Sequence, residues 1–101
     1  MEKQIADMIR WLPKFSLGHI VATPGALQAL EEANQNPFEF LERHQAGDWG
    51  DLCAEDIREN EFSVTNGFRL LSAYRTLHDL KIWVITEADR SVTTLLLPHE
   101  Y

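Results

Sequence analysis

Four residues in the C-terminal part of the chain carry side chains that could cleave RNA without a metal ion: Arg75, His78, Arg90 and Thr94. In metal-independent ribonuclease toxins, a histidine or tyrosine transfers the proton and an arginine neutralises the phosphate. Such a group on a small sheet is consistent with a ribonuclease-like enzyme, by analogy of fold alone. The charge of the chain argues against it, because nine Lys and Arg against sixteen Asp and Glu do not supply the basic surface that RNA binding requires.

Other catalytic and metal-binding sequence patterns are absent. The four histidines and the single cysteine show no HxxxH, CxxC or HxH spacing, and no GxSxG, P-loop or GxGxxG motif occurs. The acidic residues do not follow the alternate-residue loop of an EF-hand. We therefore expect no metal and no cofactor, and the lone Cys53 excludes an internal disulfide.

The acidic residues are concentrated in the middle of the chain. Residues 31–61 hold ten acids and two bases, whereas residues 62–101 hold four of each. A field of one sign repels nucleic acid and attracts basic protein surfaces. The pattern predicts a partner-binding face of acidic side chains with Trp49 as its aromatic anchor. The acids of this face are Glu39, Glu42, Asp48, Asp51, Glu55, Asp56 and Glu59.

The sequence allows two interpretations of Trp49. It lies between two glycines and is flanked by Asp48 and Asp51 in a predicted loop. An exposed aromatic in an acidic surround would dominate the free energy of an interface. The alternative is that the indole folds back over the core, which is favoured because a chain of 101 residues needs its large side chains for burial.

The chain is predicted to form a single domain over residues 1–101. Residues 1–13 have the apolar spacing of an amphipathic helix and end at a proline. Residues 14–66 form an acidic helical half, with a short strand within 15–22. Thr23-Pro24 and Asn36-Pro37 predict two helix starts, because Thr and Asn cap free amides and proline is suited to the first helical position. A third helix is predicted from about residue 54 to 64. In the first two helices, the residues expected to face the core are Leu27, Leu30, Phe38, Phe40 and Leu41.

From residue 68 the apolar periodicity changes to two. Strands are predicted over 68–76, 81–87 and 92–97, joined by connections of hairpin length at 77–80 and 88–91. Residues 67–101 therefore form an antiparallel β-meander of three strands, with 15–22 as a candidate fourth. The predicted fold class is α+β, with N-terminal helices packed on one face of this C-terminal sheet.

Four segments together resemble a family of small uncharacterised bacterial proteins: RHQAGDWGD at 43–51, GFRLLSAYR at 67–75, IWVITEADRSVTT at 82–94 and LPHEY at 97–101. The resemblance covers the chain from about residue 17 to the C-terminus. Members of that family are often encoded on plasmids and other mobile elements, sometimes near restriction–modification genes, and have no established activity. The resemblance implies a bacterial, cytoplasmic, accessory role tied to mobile DNA.

Three functional hypotheses follow. The preferred one is a non-enzymatic acidic binding protein that inhibits or regulates a nucleic-acid-handling defence protein, such as a restriction enzyme or a CRISPR-type effector, through a basic surface of that partner. The second is the ribonuclease-like toxin. The third is a self-assembling structural protein, a homodimer in which strand 92–97 is an uncovered sheet edge that pairs across a two-fold axis.

The sequence also predicts where the protein works. No apolar run reaches the roughly 18 to 20 residues that span a bilayer, and the N-terminus lacks the basic start and apolar block of a signal peptide. We therefore expect a cytoplasmic protein that contacts neither membrane nor, directly, nucleic acid.

Overall fold

The computed structural model describes residues 12–101, so the predicted N-terminal helix lies almost wholly outside the described residues. The three helices of this range precede three of the four strands of the sheet, which confirms the predicted α+β class. The elements are β1 (His19–Ala22), α1 (Pro24–Glu32), α2 (Pro37–Gln45), α3 (Ala54–Asn66), β2 (Leu70–Arg75), β3 (Lys81–Thr86), β4 (Val92–Leu96) and a 3-10 turn (Pro98–Glu100).

The two proline-marked helix starts form as predicted. The Thr23 hydroxyl accepts a hydrogen bond from the amide of Ala26 at 3.2 Å, at the start of α1. The Asn36 side chain accepts one from the amide of Phe38 at 2.9 Å, at the start of α2. Each cap satisfies a backbone donor that has no partner within its helix.

The sheet has the strand order β1-β4-β3-β2 and is mixed rather than purely antiparallel. β2, β3 and β4 form the predicted meander, but β1 pairs with β4 in parallel, through the amide of His19 to the carbonyl of Ser91 at 2.8 Å and that of Thr23 to Leu95 at 3.0 Å. The prediction that strand 92–97 is an uncovered edge is therefore wrong. β4 lies inside the sheet because β1 occupies its second side.

Helices α1 and α2 pack on one face of the sheet and enclose the apolar core. The core residues are Ala26, Ala29, Leu30, Phe40, Leu41, Tyr74, Ile82, Val84 and Leu95. Two predicted core residues, Leu27 and Phe38, are exposed instead. The buried stripe of α1 consists of Ala26, Ala29 and Leu30, so Leu27 points away from the sheet.

The outer edge of β2 is covered by polar contacts. The Asn60 amide nitrogen donates to the carbonyl of Leu71 at 2.7 Å, and the Leu71 amide donates back to the Asn60 side-chain oxygen at 3.2 Å. Two residues further along β2, the Ala73 amide donates to the Trp49 carbonyl at 3.1 Å, and the Asp51 amide donates to the Ala73 carbonyl at 2.7 Å. These contacts occupy backbone groups that an edge strand would otherwise leave unpaired.

Gly50 allows the loop to approach this edge, which yields a test with a matched control. Gly50 has φ +77°, and a Cβ there would lie 2.1 Å from the Ala73 carbonyl oxygen; Gly67 has φ +74° with no atom within 4 Å of its would-be Cβ. We expect Gly67→Ala to lower the free energy of unfolding by about 1–2 kcal/mol, from backbone strain alone. Gly50→Ala adds a steric clash of its Cβ with the Ala73 carbonyl oxygen, and it should lower the free energy of unfolding by at least about 3 kcal/mol.

Urea denaturation followed by circular dichroism measures both costs. Equal losses of stability in the two variants would contradict the close approach of loop and strand.

Candidate interaction surface

A chain of hydrogen bonds runs through the core from α2 across the sheet. The His44 Nδ1 atom lies 2.5 Å from the Ser72 hydroxyl, and its Nε2 atom lies 2.9 Å from the Thr86 hydroxyl. The Thr86 and Thr93 hydroxyls are 2.7 Å apart, and Thr93 donates to the carbonyl of Leu17 at 2.7 Å. The four side chains are fully buried.

The carbonyl at the end of this chain determines the direction of every hydrogen bond in it. A carbonyl oxygen can only accept, so Thr93 uses its single proton on Leu17 and must accept from Thr86. Thr86 then accepts from the Nε2–H of His44. Nδ1 is therefore the unprotonated nitrogen, and it accepts from the Ser72 hydroxyl.

Ser72 and His44 thus have the hydrogen bond of a nucleophile and its general base. Both side chains are fully buried, so no substrate can reach the hydroxyl. Burial, together with the positive charge of Arg90, lowers the pKa of His44 to about 3, which keeps the imidazole neutral. The pair links helix to sheet and is not a catalytic site.

The four candidate ribonuclease residues do not form one pocket. Arg75 lies at the β2–β3 end of the sheet, where its guanidinium pairs with Asp79 at 3.3 Å and with Asp51 at 3.6 Å, and His78 is in the adjoining turn. Arg90 lies in the β3–β4 turn at the opposite end, five residues along the strands or about 17 Å away. Thr94 sits between the two ends, within β4.

The guanidinium of Arg90 is engaged by the backbone. It donates to carbonyl oxygens at distances between 2.6 and 3.2 Å; the acceptors are Ser63, Phe68, Glu87 and Ala88. Its charge thus fastens the last turn of α3 to the β3–β4 turn. Both terminal nitrogens of Arg90 already donate to the backbone, so a phosphate would have to compete with these carbonyls for the guanidinium.

Trp49 is a core residue, with 3% of its surface exposed. Its ring stacks on Phe15 at a centroid distance of 6.1 Å and meets the edge of His44 at 5.7 Å. The indole nitrogen donates to the Glu61 carboxylate at 2.9 Å. Burial confirms the favoured interpretation, in which the indole folds back over the core, and the prediction of an exposed anchor is wrong.

The seven predicted acids are all exposed, but they do not share one environment. Asp48 pairs with Arg43 at 2.7 Å, and this hydrogen bond holds the pKa of Asp48 below its usual range. Asp51 pairs with Arg75. Glu39 and Glu42 belong to α2, whereas the remaining three belong to α3: Glu55, Asp56 and Glu59. In the described part of the chain these three have no hydrogen-bonding or ion-pair partner.

Helix α3 is held to the sheet by polar contacts and leaves most of its surface exposed. Its buried residues are Asn60 and Ser63, both polar. Asn60 bonds to β2, the carbonyl of Ser63 accepts from Arg90 at 2.8 Å, and Glu61 accepts from Trp49. Four carboxylates and one arginine lie along its thirteen residues.

An exposed pair of aromatic rings lies at the C-terminal end of α3. Phe62 is 60% exposed and Phe68 is 54% exposed, and their rings stack at 5.9 Å with an interplanar angle of 10°. Phe62 also lines an open groove together with Glu55, Arg58, Glu59 and Ser63. We call the exposed group formed by Glu55, Asp56, Glu59, Phe62 and Phe68 the α3 surface.

The sequence-based search missed both phenylalanines. The predicted first strand of the meander includes Phe68, whereas β2 begins at Leu70. The available signal was the pattern of α3, in which Ile57, Phe62 and Val64 do not form an i, i+3, i+4 stripe. A helix without such a stripe has apolar side chains that cannot all reach the core.

Two other kinds of site are not formed by residues 12–101. No three side chains of His, Cys, Asp or Glu in this range lie close enough together to hold a metal ion. Its helices are also too short and too polar to cross a bilayer.

Comparison with protein-family models, with curated proteins and with solved structures found no match to this chain.

The neutral, buried His44 predicts a loss of stability in mild acid. The unfolded chain takes up a proton on this histidine below its ordinary pKa of 6.5, whereas the folded chain does so only near pH 3. The free energy of unfolding should therefore fall as the pH decreases from 6.5 towards 3. By pH 5 this histidine alone accounts for about 2 kcal/mol, at about 1.4 kcal/mol per pH unit.

Urea unfolding at pH 7 and pH 5 measures this difference. His44→Gln should be less stable at both pH values and lose most of the difference, while the control His78→Gln, at an exposed histidine, should keep it. A wild-type protein that is equally stable at pH 7 and pH 5 would rule out a neutral His44.

Proposed function

We propose that this protein is a non-enzymatic binding protein whose α3 surface occupies the basic groove of a nucleic-acid-handling protein, such as a restriction enzyme or a CRISPR-type effector. The observation that carries the proposal is the exposed, stacked Phe62–Phe68 pair beside carboxylates that form no ion pair with any residue of 12–101. The family resemblance supports the same setting, a bacterial cytoplasm in which a mobile element inhibits or regulates a host defence protein.

The carboxylates of α3 supply the attraction in this proposal. Glu55 and Glu59 are one helical turn apart and line the same groove, so they present adjacent negative charges to an approaching surface. A protein groove that normally binds phosphates carries Lys and Arg, which an acidic helix can engage in their place. Such charge pairing speeds association and weakens as salt is added.

The aromatic pair supplies the affinity that exposed charges do not. Exposed ion pairs contribute little free energy each, whereas an aromatic side chain that fills a desolvated pocket can contribute 2 kcal/mol or more. Phe62 and Phe68 are large, apolar and already ordered against each other. Their exposure costs the free protein apolar burial, and a partner that covers them removes that cost.

The experiment is a pull-down from bacterial lysate at low and high salt with the tagged full chain, followed by titration of the captured protein. We expect a basic nucleic-acid-handling protein that binds at low salt and dissociates at high salt. The triple variant Glu55→Gln, Asp56→Asn, Glu59→Gln should weaken binding and flatten its salt dependence. Phe62→Ala should raise Kd by about tenfold to thirtyfold at every salt concentration.

Matched controls separate the α3 surface from general effects of charge and exposure. The triple variant Glu31→Gln, Glu32→Gln, Glu42→Gln removes the same charge from α1 and α2. Leu77→Ala truncates an apolar side chain that is 78% exposed in the turn between β2 and β3. Both should bind as the wild type does. Equal weakening by the control and α3 variants, or recovery of RNA or ribosomes as the retained species, would refute the proposal.

A further inference from the structure

The two edges of the sheet differ in what covers them. At β2, the Asn60 side chain and the loop around Gly50 occupy outward-facing backbone groups. β1 is the opposite edge of the sheet. Within residues 12–101 no strand pairs with its outer side.

The pairing of β1 shows which of its backbone groups are free. The amides of His19 and Thr23 donate to β4. In a parallel ladder, the backbone N–H and C=O groups of residues 19, 21 and 23 therefore point towards β4. The amide and carbonyl groups of Ile20 and Ala22 therefore point out of the sheet. Within residues 12–101 these four groups have no partner, and another extended strand can satisfy all four of them together.

The segment around β1 is short, but it carries none of the charged side chains that normally protect an edge. Residues 15–30 contain no Asp, Glu, Lys or Arg, in a chain whose net charge is −7. The side chains of Ile20 and Val21 are 38% and 37% exposed. Two copies of this acidic protein therefore repel each other least where β1 meets β1, and the apolar side chains there gain from being covered.

We infer that β1 is a homodimer interface, in which two copies pair their β1 strands antiparallel across a two-fold axis to form one continuous eight-stranded sheet. The outward-pointing backbone groups of Ile20 and Ala22 determine the register between the two β1 strands. Ile20 pairs with Ala22 of the second copy and Ala22 with its Ile20, which gives four backbone hydrogen bonds. Val21 then lies opposite Val21 of the second copy at the two-fold axis. Its side chain is on the sheet face opposite the helices, because it pairs with Thr94, and Thr94 points to the other side of the sheet from the buried Thr93.

Sedimentation velocity of the full chain over a concentration series that reaches high micromolar values tests the dimer. The ladder is short, so we expect a weak, concentration-dependent dimer rather than an obligate one. Val21→Lys and Val21→Glu each place like charges across the two-fold axis and should raise the dimer Kd by at least about tenfold. An equimolar mixture of the two variants should recover dimers, because Lys then faces Glu.

Leu77→Lys is the matched control for Val21→Lys. It adds the same charge at an exposed site in the turn between β2 and β3, and it should leave the dimer Kd unchanged. Hydrogen exchange gives a second readout, because the amides of Ile20 and Ala22 should become protected only at concentrations where the dimer forms. A chain that stays monomeric throughout overturns the inference and leaves this edge to a strand of another protein. A dimer that Val21→Lys does not weaken, or that leaves these two amides unprotected, overturns it as well.

Discussion

The neutral imidazole of His44 joins parts of the chain that are far apart in sequence. Through Ser72, Thr86 and Thr93 it connects α2 to three strands, and the last bond reaches the carbonyl of Leu17, just before β1. Each donor in the chain has one acceptor, so the loss of one member leaves a buried polar group unpaired, at a cost of about 1–3 kcal/mol. The rings of Phe15 and Trp49 meet the same imidazole at 5.1 and 5.7 Å, so its position also places the loop that covers β2.

The closure of the β2 edge explains why α3 can expose apolar side chains. Asn60 substitutes for a neighbouring strand, and the bonds of Trp49 to Glu61 and of Arg90 to the Ser63 carbonyl fasten the helix along its length. A helix attached by hydrogen bonds does not need an apolar face in the core to stay in place. Phe62 is therefore available for contact with a partner, and Glu55 and Glu59, which line the same groove, form no ion pair within the described part of the chain.

The strand order separates the two proposed interfaces. β1 and β2 are the opposite edges of the sheet, and α3 packs along β2. Pairing through β1 would leave both α3 surfaces uncovered, at the two ends of the enlarged sheet. Dimerisation and partner binding can therefore occur together, and a failure of one does not remove the structural basis of the other.

Signals between near neighbours determined much of this fold from the sequence alone. The Thr23-Pro24 and Asn36-Pro37 caps predicted α1 and α2, and the two-residue alternation predicted the three strands of the meander, because caps and hairpins depend on residues close in the chain. Only the tertiary structure decided that β1 pairs with β4, that Trp49 is buried, and that Arg75 and Arg90 lie at opposite ends of the sheet. It also decided that Glu55 and Glu59 of α3 lie beside an exposed aromatic pair. Pairing and burial depend on contacts between residues distant in sequence, which no local pattern specifies.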